Sequence, residues 1–305
     1  MGIALHPETG QLALASKNGM TVFTDSPELA QHYPPKPGIY DALYMPRMSY
    51  HTGPLDLHDL VWHKDRLLAV NTLFSCISTT SDKFNFETVW KPPFISKIAP
   101  EDRCHLNGVA LVSGKPGYVT CFGNGDTPGS WRDNILKGGV VVDVETGETI
   151  AAELPMPHTP RWMDGNLYAL LSATGELIRF DLSTGKYDVV TRLDGFVRGM
   201  AWHKDYLFIG ISRLRKNSST FAKLELTHKP ALAGIAVVHL PTGSLAGKIE
   251  YKMSVDEIYD VQVIPDKLRP NILNTTKPEA HLGIALESST YWAQEKEENN
   301  EQESD

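Results

Sequence analysis

A six-residue phrase that occurs twice in this chain constrains what it can fold into. The first copy is WHKDRL at residues 62–67, and the second is WHKDYL at residues 202–207. Similar text, in which a bulky residue leads through a turn into an apolar strand, begins at four further positions. An internal repeat of this length indicates a ring or array of equivalent units. The anchors, about 52 residues apart on average, are Leu5, Trp62, Leu111, Trp162, Trp202 and Val263.

Each unit consists of consecutive short apolar segments joined by tight turns, which predicts antiparallel β-strands. The pattern strand–Thr-Gly–strand recurs at 143–150, 181–190 and 239–249, as expected for a turn between the outer strands of a blade. Long helical periodicity is absent. Six anchors therefore predict an all-β fold, a six-bladed β-propeller. A seven-bladed ring is the alternative, if the long unit 202–263 contains a further blade.

The two ends of the chain fit a closed ring poorly. Met1 stands next to the first anchor, and the unit after Val263 has few strand-like segments. One alternative is that the segment HLGIALE (281–287) closes the ring. Because an incomplete ring exposes a strand edge, we expect instead that the chain lacks an N-terminal piece. The predicted propeller domain spans residues 1–290. Residues 291–305 are predicted to form a disordered tail, since positions 294–305 carry six acids and one lysine.

Composition excludes several classes of function. The formal net charge is −8 and the body of the chain has no basic stripe, which disfavours nucleic-acid binding. The chain contains no apolar run of membrane-spanning length and no secretory signal, so neither a membrane nor an export route is expected. Three widely spaced cysteines do not form a disulfide framework, and the predicted location is cytoplasmic.

Polar residues recur at a fixed distance from the repeat anchors. In a propeller, equal offsets from the anchor place residues at the same height around the central channel. Four residues before the anchors, where core strands would be apolar, five of six positions are polar or amphipathic, and the next offset adds two acids. The set is Met1, His58, Asn107, His158, Arg198 and Tyr259, followed by Asp59 and Asp260, with His105 and Arg161 close by in sequence.

This ring predicts a ligand site in one mouth of the channel. His58, His105 and His158 are candidate ligands for a divalent transition metal, which imidazole nitrogens suit. A second set of residues is predicted to bind an anionic small molecule through charge and hydrogen bonds: Arg198, Arg161, Asn107 and Asp59. Asp260, Tyr259 and Arg198 are the candidate catalytic residues, the first two as proton carriers. The alternative is that these groups only solvate a wet channel.

Several stretches are distinctive in combination, among them APEDRCHLNG (99–108), MPHTPRW (156–162), GFVRGMAW (195–202) and EIYDVQVIP (257–265). In these stretches the chain resembles an uncharacterised bacterial family of conserved hypothetical proteins, domain of unknown function 4915. The resemblance covers about residues 1–275 and implies a propeller fold without an assigned activity. In that family the Met-Gly that begins this chain is internal, which agrees with a missing N-terminal piece.

Two classes of function remain open on the sequence. The first is a small-molecule binder or a metal-assisted enzyme, with three histidines arranged as in metal-dependent propeller lyases and oxygenases; a hydrolase-like activity fits as well. The second is a non-catalytic protein-interaction scaffold. No nucleotide cofactor is predicted, because the Gly-rich stretch at 123–134 lacks the GxxxxGK pattern of a phosphate-binding loop.

Overall fold

The computed structural model describes residues 1–213, 221, 224–228 and 233–294. The regular structure of these residues is mainly short antiparallel strands, and the helices have at most five residues. No helix in these ranges is long and apolar enough to cross a membrane. The residues from 295 onward, which include most of the predicted acidic tail, lie outside the described part.

Five four-stranded antiparallel sheets follow one another along the chain, and each forms one blade of a propeller. The first strands of successive blades contact each other around the channel. The strands are β1 (Ile3–Leu5), β2 (Leu12–Ala15), β3 (Gly19–Asp25) and β4 (Ala42–His51) in blade 1; β5 (Leu57–His63), β6 (Arg66–Asn71), β7 (Cys76–Thr79) and β8 (Glu87–Trp90) in blade 2; β9 (Leu106–Val112), β10 (Lys115–Cys121), β11 (Gly139–Asp143) and β12 (Thr149–Leu154) in blade 3; β13 (Pro157–Met163), β14 (Asn166–Leu171), β15 (Glu176–Asp181) and β16 (Lys186–Arg192) in blade 4; and β17 (Phe196–His203), β18 (Tyr206–Ser212), β19 (Gly234–His239) and β20 (Ser244–Glu250) in blade 5.

A few short elements complete the described structure. Strand β21 pairs in parallel with β4 at the outer edge of blade 1, and β22 and β23 form a separate hairpin. The 3-10 helices lie in the connections between β10 and β11 and between β18 and β19. These elements are α1 (Pro27–Gln31), the 3-10 helix Ser130–Asn134, the 3-10 helix Glu225–His228, β21 (Pro270–Ile272), α2 (Glu279–Leu282), β22 (Gly283–Ala285) and β23 (Thr290–Trp292).

The core consists of apolar layers between adjacent blades. One layer joins blades 1 and 2 around Trp62, and the others join blades 2 and 3, 3 and 4, and 4 and 5. The Thr-Gly turns lie where the sequence predicts them, between the third and fourth strands of blades 3, 4 and 5. Their glycines, Gly147, Gly185 and Gly243, all have positive φ, which glycine adopts without steric cost.

The structure confirms the all-β propeller and corrects the number of blades, which is five rather than six or seven. The first five anchors lie on or next to the innermost strands of their blades. The sixth, Val263, lies in an extended segment that pairs with no strand. This closing segment, residues 257–264, occupies the place of an inner strand between β17 and β1. The sixth repeat anchor of the sequence therefore does not belong to a blade.

Side chains, rather than a ladder of backbone hydrogen bonds, hold the closing segment in place. The amide of Ile3 in blade 1 donates to Asp260 Oδ2 at 2.9 Å. On the blade 5 side, Ser212 Oγ accepts from the amide of Ile258 at 2.9 Å and lies 3.1 Å from its carbonyl oxygen. A Cβ atom on Gly199, whose φ is +75°, would lie 2.5 Å from Asp260 Cα. The absence of a side chain at Gly199 thus lets the segment approach β17.

We predict that Gly199→Ala lowers the free energy of unfolding by about 2–3 kcal/mol, because alanine disfavours positive φ and its Cβ would collide with the backbone of Asp260. The matched control is Gly247→Ala in β20, where an added Cβ meets no atom within 4 Å. Urea denaturation of both variants measures the difference. Equal stability of the two variants would contradict the close approach described for the closing segment.

Candidate functional site

Irregular pairing at one level of the inner strands shapes the centre of the ring. The register shifts between Leu57 and Leu60 in β5, between His158 and Arg161 in β13, and between Val197 and Met200 in β17. Bulges of this kind bend a strand and re-aim its side chains. The residues four positions before the anchors lie at this level, so their side chains reach the channel.

The predicted ring of polar residues comes together around one small cavity. Its volume is about 10 Å³, enough for roughly one water molecule. Asp59 and Thr159 line it from the next sequence position. The predicted residues at the cavity are Met1, His58, Asp59, Asn107, His158, Arg198, Tyr259 and Asp260, whereas His105 and Arg161 do not line it.

Two of the histidines have the same tautomer, imposed by hydroxyl groups that directly follow the second strands of their blades. Thr72 Oγ1 donates to the carbonyl of Leu106 at 2.6 Å, so its only proton is committed and it must accept from His58 Nδ1, 2.8 Å away. Ser172 Oγ donates to the carbonyl of Val197 at 2.6 Å and likewise accepts from His158 Nδ1 at 2.6 Å. In each neutral ring, the lone pair is therefore on Nε2.

The Nδ1 atom of His105 also faces an acceptor, which here is a carboxylate. This nitrogen lies 3.1 Å from both carboxylate oxygens of Asp102, which also accepts from Trp131 Nε1 at 2.9 Å. The His105 and His58 rings meet edge to face with centroids 4.9 Å apart. Within the described residues, no hydrogen bond is made by Nε2 of His58, His105 or His158.

Burial keeps two of these imidazoles neutral. Desolvation lowers the pKa of His58 well below its ordinary value, and the neighbouring His105 lowers it further. Desolvation does the same to the pKa of His158, with the positive charge of Arg198 as the next cause. Both rings are consequently hydrogen-bond acceptors at Nε2 near neutral pH.

Aromatic side chains enclose the histidines in the mouth of the channel. Phe122 stacks on His105 with ring centroids 4.5 Å apart, and it meets His158 edge to face at 4.7 Å. Trp131, in the 3-10 helix of the 123–134 stretch, packs on His105 at 4.3 Å. This insertion thus covers part of the mouth, and its apolar wall strengthens polar interactions inside.

Arg198 lies at the edge of the same cavity with three partners from the closing segment, and its Nε donates to the carbonyl of Ile258 at 3.3 Å. Its guanidinium carbon is 3.8 Å from the centroid of the Tyr259 ring, a cation–π contact. Its Nη2 is 3.3 Å from Glu257 Oε2. We refer to the site formed by His58, His105, His158, Arg198 and Tyr259 as the histidine mouth.

Arg161 lies deeper in the channel, between two buried carboxylates. Its Nη1 and Nη2 donate to the two oxygens of Asp59 at 2.9 and 3.2 Å, and Nη2 is 3.9 Å from Asp260 Oδ1. Asp59 also accepts from the amide of Val109 at 3.1 Å. Burial and the charge of Asp59 raise the pKa of Asp260 to about 6. These contacts engage Arg161 within the protein, and ligand binding by Arg161 and Asp59 stays a prediction.

The metal site predicted at the three histidines also stays a prediction. In the described part of the chain, no group of three or more His, Cys, Asp or Glu side chains is arranged to hold a metal ion. His58 and His158 approach the cavity from blades 2 and 4, while Asn107 occupies the corresponding position of blade 3.

Sequence reasoning missed the hydroxyls that orient the histidines. Thr72 and Ser172 each lie 14 residues after their histidine, and Ser212 lies 14 residues after Arg198. The hydroxyl position therefore repeats with the blades and was detectable as a fixed spacing. Asp102 carries no such signal, because it stands in a loop peculiar to blade 3.

We predict that Arg161→Met lowers the free energy of unfolding by about 3–5 kcal/mol, because it leaves two buried carboxylates without a cation. Arg179→Met is the control. Arg179 pairs with Asp188 on the exposed surface of blade 4, where a pair contributes about 0–1 kcal/mol. Chemical denaturation compares the variants. A loss of less than about 1 kcal/mol for Arg161→Met would contradict its buried role.

We also predict that the neutral histidines make stability depend on pH. Below about pH 6.5, an unfolded chain binds protons at His58 and His158 that the folded protein does not, so the free energy of unfolding falls as pH falls. Each histidine contributes up to about 1.4 kcal/mol per pH unit. Denaturation of wild type and of a His58→Asn/His158→Asn variant between about pH 5 and pH 7 measures this.

Asparagine keeps an N–H donor for each hydroxyl partner and does not titrate, so the variant should show a flatter pH profile. Asp260 is present in both proteins, and its own contribution cancels in the comparison. Parallel profiles would show that the two histidines titrate alike in the folded and unfolded states.

Solved structures share this architecture at low sequence identity. Regucalcin from Agrobacterium tumefaciens, a calcium-binding protein, aligns over 82% of this chain and 73% of its own, with a TM-score of 0.51 and 12% identity. A chain of the Nidogen/Laminin complex aligns over 82% of this chain and 80% of its own, with a TM-score of 0.50 and 8% identity. At such identities the likeness shows the fold alone.

Three further comparisons concern a designed protein, the curated proteins and the known families. The computationally designed Ika8 protein aligns over 82% of this chain and 64% of its own, at 11% identity and a TM-score of 0.39. The chain therefore spans less than two thirds of that protein's length. No curated protein matches the sequence significantly. Residues 1–273 match the family described as domain of unknown function (DUF4915), and the chain belongs to that family.

Proposed function

We propose that the protein binds a small hydroxylated carboxylic acid at the histidine mouth. The observation that carries this proposal is the tautomer that His58 and His158 share, each with its Nδ1 proton committed to a hydroxyl and its Nε2 lone pair left over. A protein group that accepts from Nδ1 orients the imidazole for binding at Nε2, because it holds both the ring plane and the proton in place. A ligand hydroxyl donates to such a nitrogen.

Arg198 supplies the complementary charge. Its guanidinium suits a carboxylate, which it pairs through two parallel N–H donors. Its present contact with Glu257 is long, at 3.3 Å, so a ligand carboxylate competes for the same donor. Neutral imidazoles beside one cation therefore favour a ligand with both hydroxyl donors and a negative charge.

The size of the cavity limits the ligand. A volume near 10 Å³ admits about one water, so anything larger requires that Arg198 and Tyr259 move outward. Tyr259 is 39% exposed and has room to do so. We therefore infer that the ligand is small and that the Arg198–Tyr259 contact opens when it enters.

The chemistry of this site differs from that of a calcium site. Regucalcin is a calcium-binding protein, and calcium prefers oxygen ligands. The groups gathered here include imidazole nitrogens, which suit a divalent transition metal. A metal-assisted reaction, with Asp260 or Tyr259 carrying a proton, extends the proposal but is not needed for it. A protein-interaction scaffold is the alternative.

We predict that glycolate binds more tightly than acetate, because only glycolate has a hydroxyl proton for an imidazole nitrogen. Calorimetric titration should give affinities in about the millimolar to micromolar range for ligands of this size. His58→Asn and His158→Asn should weaken glycolate about tenfold and acetate less. Arg198→Gln should weaken both, and Arg179→Gln on the surface should change neither.

Equal binding of glycolate and acetate, or binding that survives Arg198→Gln, would contradict the proposal. Stoichiometric zinc uptake that is lost in the His58→Asn/His158→Asn variant would support the metal hypothesis. A protein that takes up neither these acids nor zinc would favour the interaction scaffold.

A further inference from the structure

A second and larger cavity opens at the opposite end of the channel, where the inner strands of blades 1 to 3 end in turns. Its volume is about 570 Å³. We propose that it binds a small carboxylic acid with an apolar body. We call it the turn-side cavity, and its charged and hydrogen-bonding side chains include His6, Glu8, Lys64, Asp65, Lys115 and Arg161.

The first observation is a buried donor without an acceptor. The amides of Glu8 and Thr9 donate to His6 Nδ1 at 3.2 and 3.1 Å, so this nitrogen carries no proton and Nε2 must carry it. His6 is only 4% exposed, and Nε2 has no hydrogen-bond partner among the described residues. Buried donors are nearly always paired, because leaving one unpaired is costly.

The nearest protein acceptor does not reach this donor. Asp65 Oδ1 lies 3.8 Å from His6 Nε2, too far for a hydrogen bond, and the Asp65 side chain is 99% exposed. Asp65 stands in the WHKD turn of blade 2 and lines the same cavity. A ligand carboxylate is the stronger acceptor for His6, because it can enter the cavity while Asp65 remains in water.

The walls suit an apolar body. The ring of Trp62 meets His6 edge to face with centroids 5.0 Å apart, and Leu60, Val109 and Leu111 contribute aliphatic surface. Aromatic and aliphatic surface with polar groups beside it is typical of small-molecule sites. A planar or branched hydrocarbon group fits this surface better than a polyhydroxylated one.

The charges at the cavity favour an acid over an amine. Lys64 and Lys115 line it, and the cation of Arg161 lies at its base. The carboxylates that oppose them are Glu8 and Asp65, both exposed. A bound carboxylate thus gains the His6 donor and two lysines, whereas a bound amine leaves the donor unpaired.

This site is distinct from the histidine mouth. The Arg161–Asp59 pair lies between the two ends of the channel, and only Asp59 borders the small cavity while only Arg161 borders the large one. None of His58, His158 and Arg198 lines the turn-side cavity. The two proposals can therefore fail independently.

The test uses three probes with the same ring: benzoate, benzyl alcohol and benzylamine. Calorimetry and tryptophan fluorescence should show one benzoate bound per chain, with weaker binding of the alcohol and weakest of the amine. His6→Phe should weaken benzoate about tenfold, since it removes a hydrogen bond to a charged group. Asp65→Ala should tighten benzoate, because it removes the internal competitor and a like charge.

The repeated phrase supplies a matched control. Lys64 and Lys204 occupy the same position of WHKDRL and WHKDYL, both have a φ of 54°, and only Lys64 lines the cavity. Lys64→Met should weaken benzoate about threefold and Lys204→Met should leave it unchanged. Arg198→Gln should also leave it unchanged, which separates this site from the histidine mouth.

Equal binding of the three probes, or equal effects of Lys64→Met and Lys204→Met, would overturn the proposal. Unchanged benzoate binding in a folded His6→Phe variant would overturn it as well. If His6→Phe does not fold, Asp65→Ala decides, because this exposed residue can be replaced without loss of core packing. Weaker binding in Asp65→Ala then excludes the role given to His6.

Discussion

The buried ion pair between Arg161 and Asp59, with Asp260 close to the same guanidinium, is the contact on which the centre of the ring depends. It connects blade 4 to blade 2 and to the closing segment, while Asp59 also binds the backbone of blade 3. Four elements of the ring therefore share one arginine. Because both carboxylates are buried, removal of Arg161 leaves them in the interior without a cation.

The same pair divides the channel into two chemically different ends. On one side, two neutral imidazoles present Nε2 lone pairs beside a single arginine. On the other, a buried histidine with an Nε2 proton that has no partner among the described residues lines an open cavity with lysines at its edge. The tautomers are opposite for a simple reason. His58 and His158 face hydroxyls whose protons are already committed, whereas His6 faces two backbone amides.

The propeller could be predicted because the repeat is carried by strands and turns, which leave a periodic trace in apolar and Thr-Gly positions. The number of blades could not be predicted from the same trace. Val263 follows a stretch that resembles an inner strand, but the neighbours that would make a sheet are missing, and pairing depends on residues far away in sequence. Counting four residues back from each repeat anchor located His58, His158 and Arg198, because equivalent positions of the inner strands lie at the same height in the channel. It did not show that Arg161 is paired, since Asp59 is 102 residues away.

The closing segment gives this ring an uneven tolerance to sequence change. Within a blade, the ladder uses backbone groups, so many side chains can vary while the hydrogen bonds persist. At the junction of blades 5 and 1, the bonds belong to the side chains of Asp260 and Ser212, and the close contact requires Gly199. Divergence among members of this family should therefore be slow at these three positions and faster along the strands. The junction between blades 5 and 1 thus depends on the identity of a few residues, whereas each blade depends only on the alternation of apolar strands and turns.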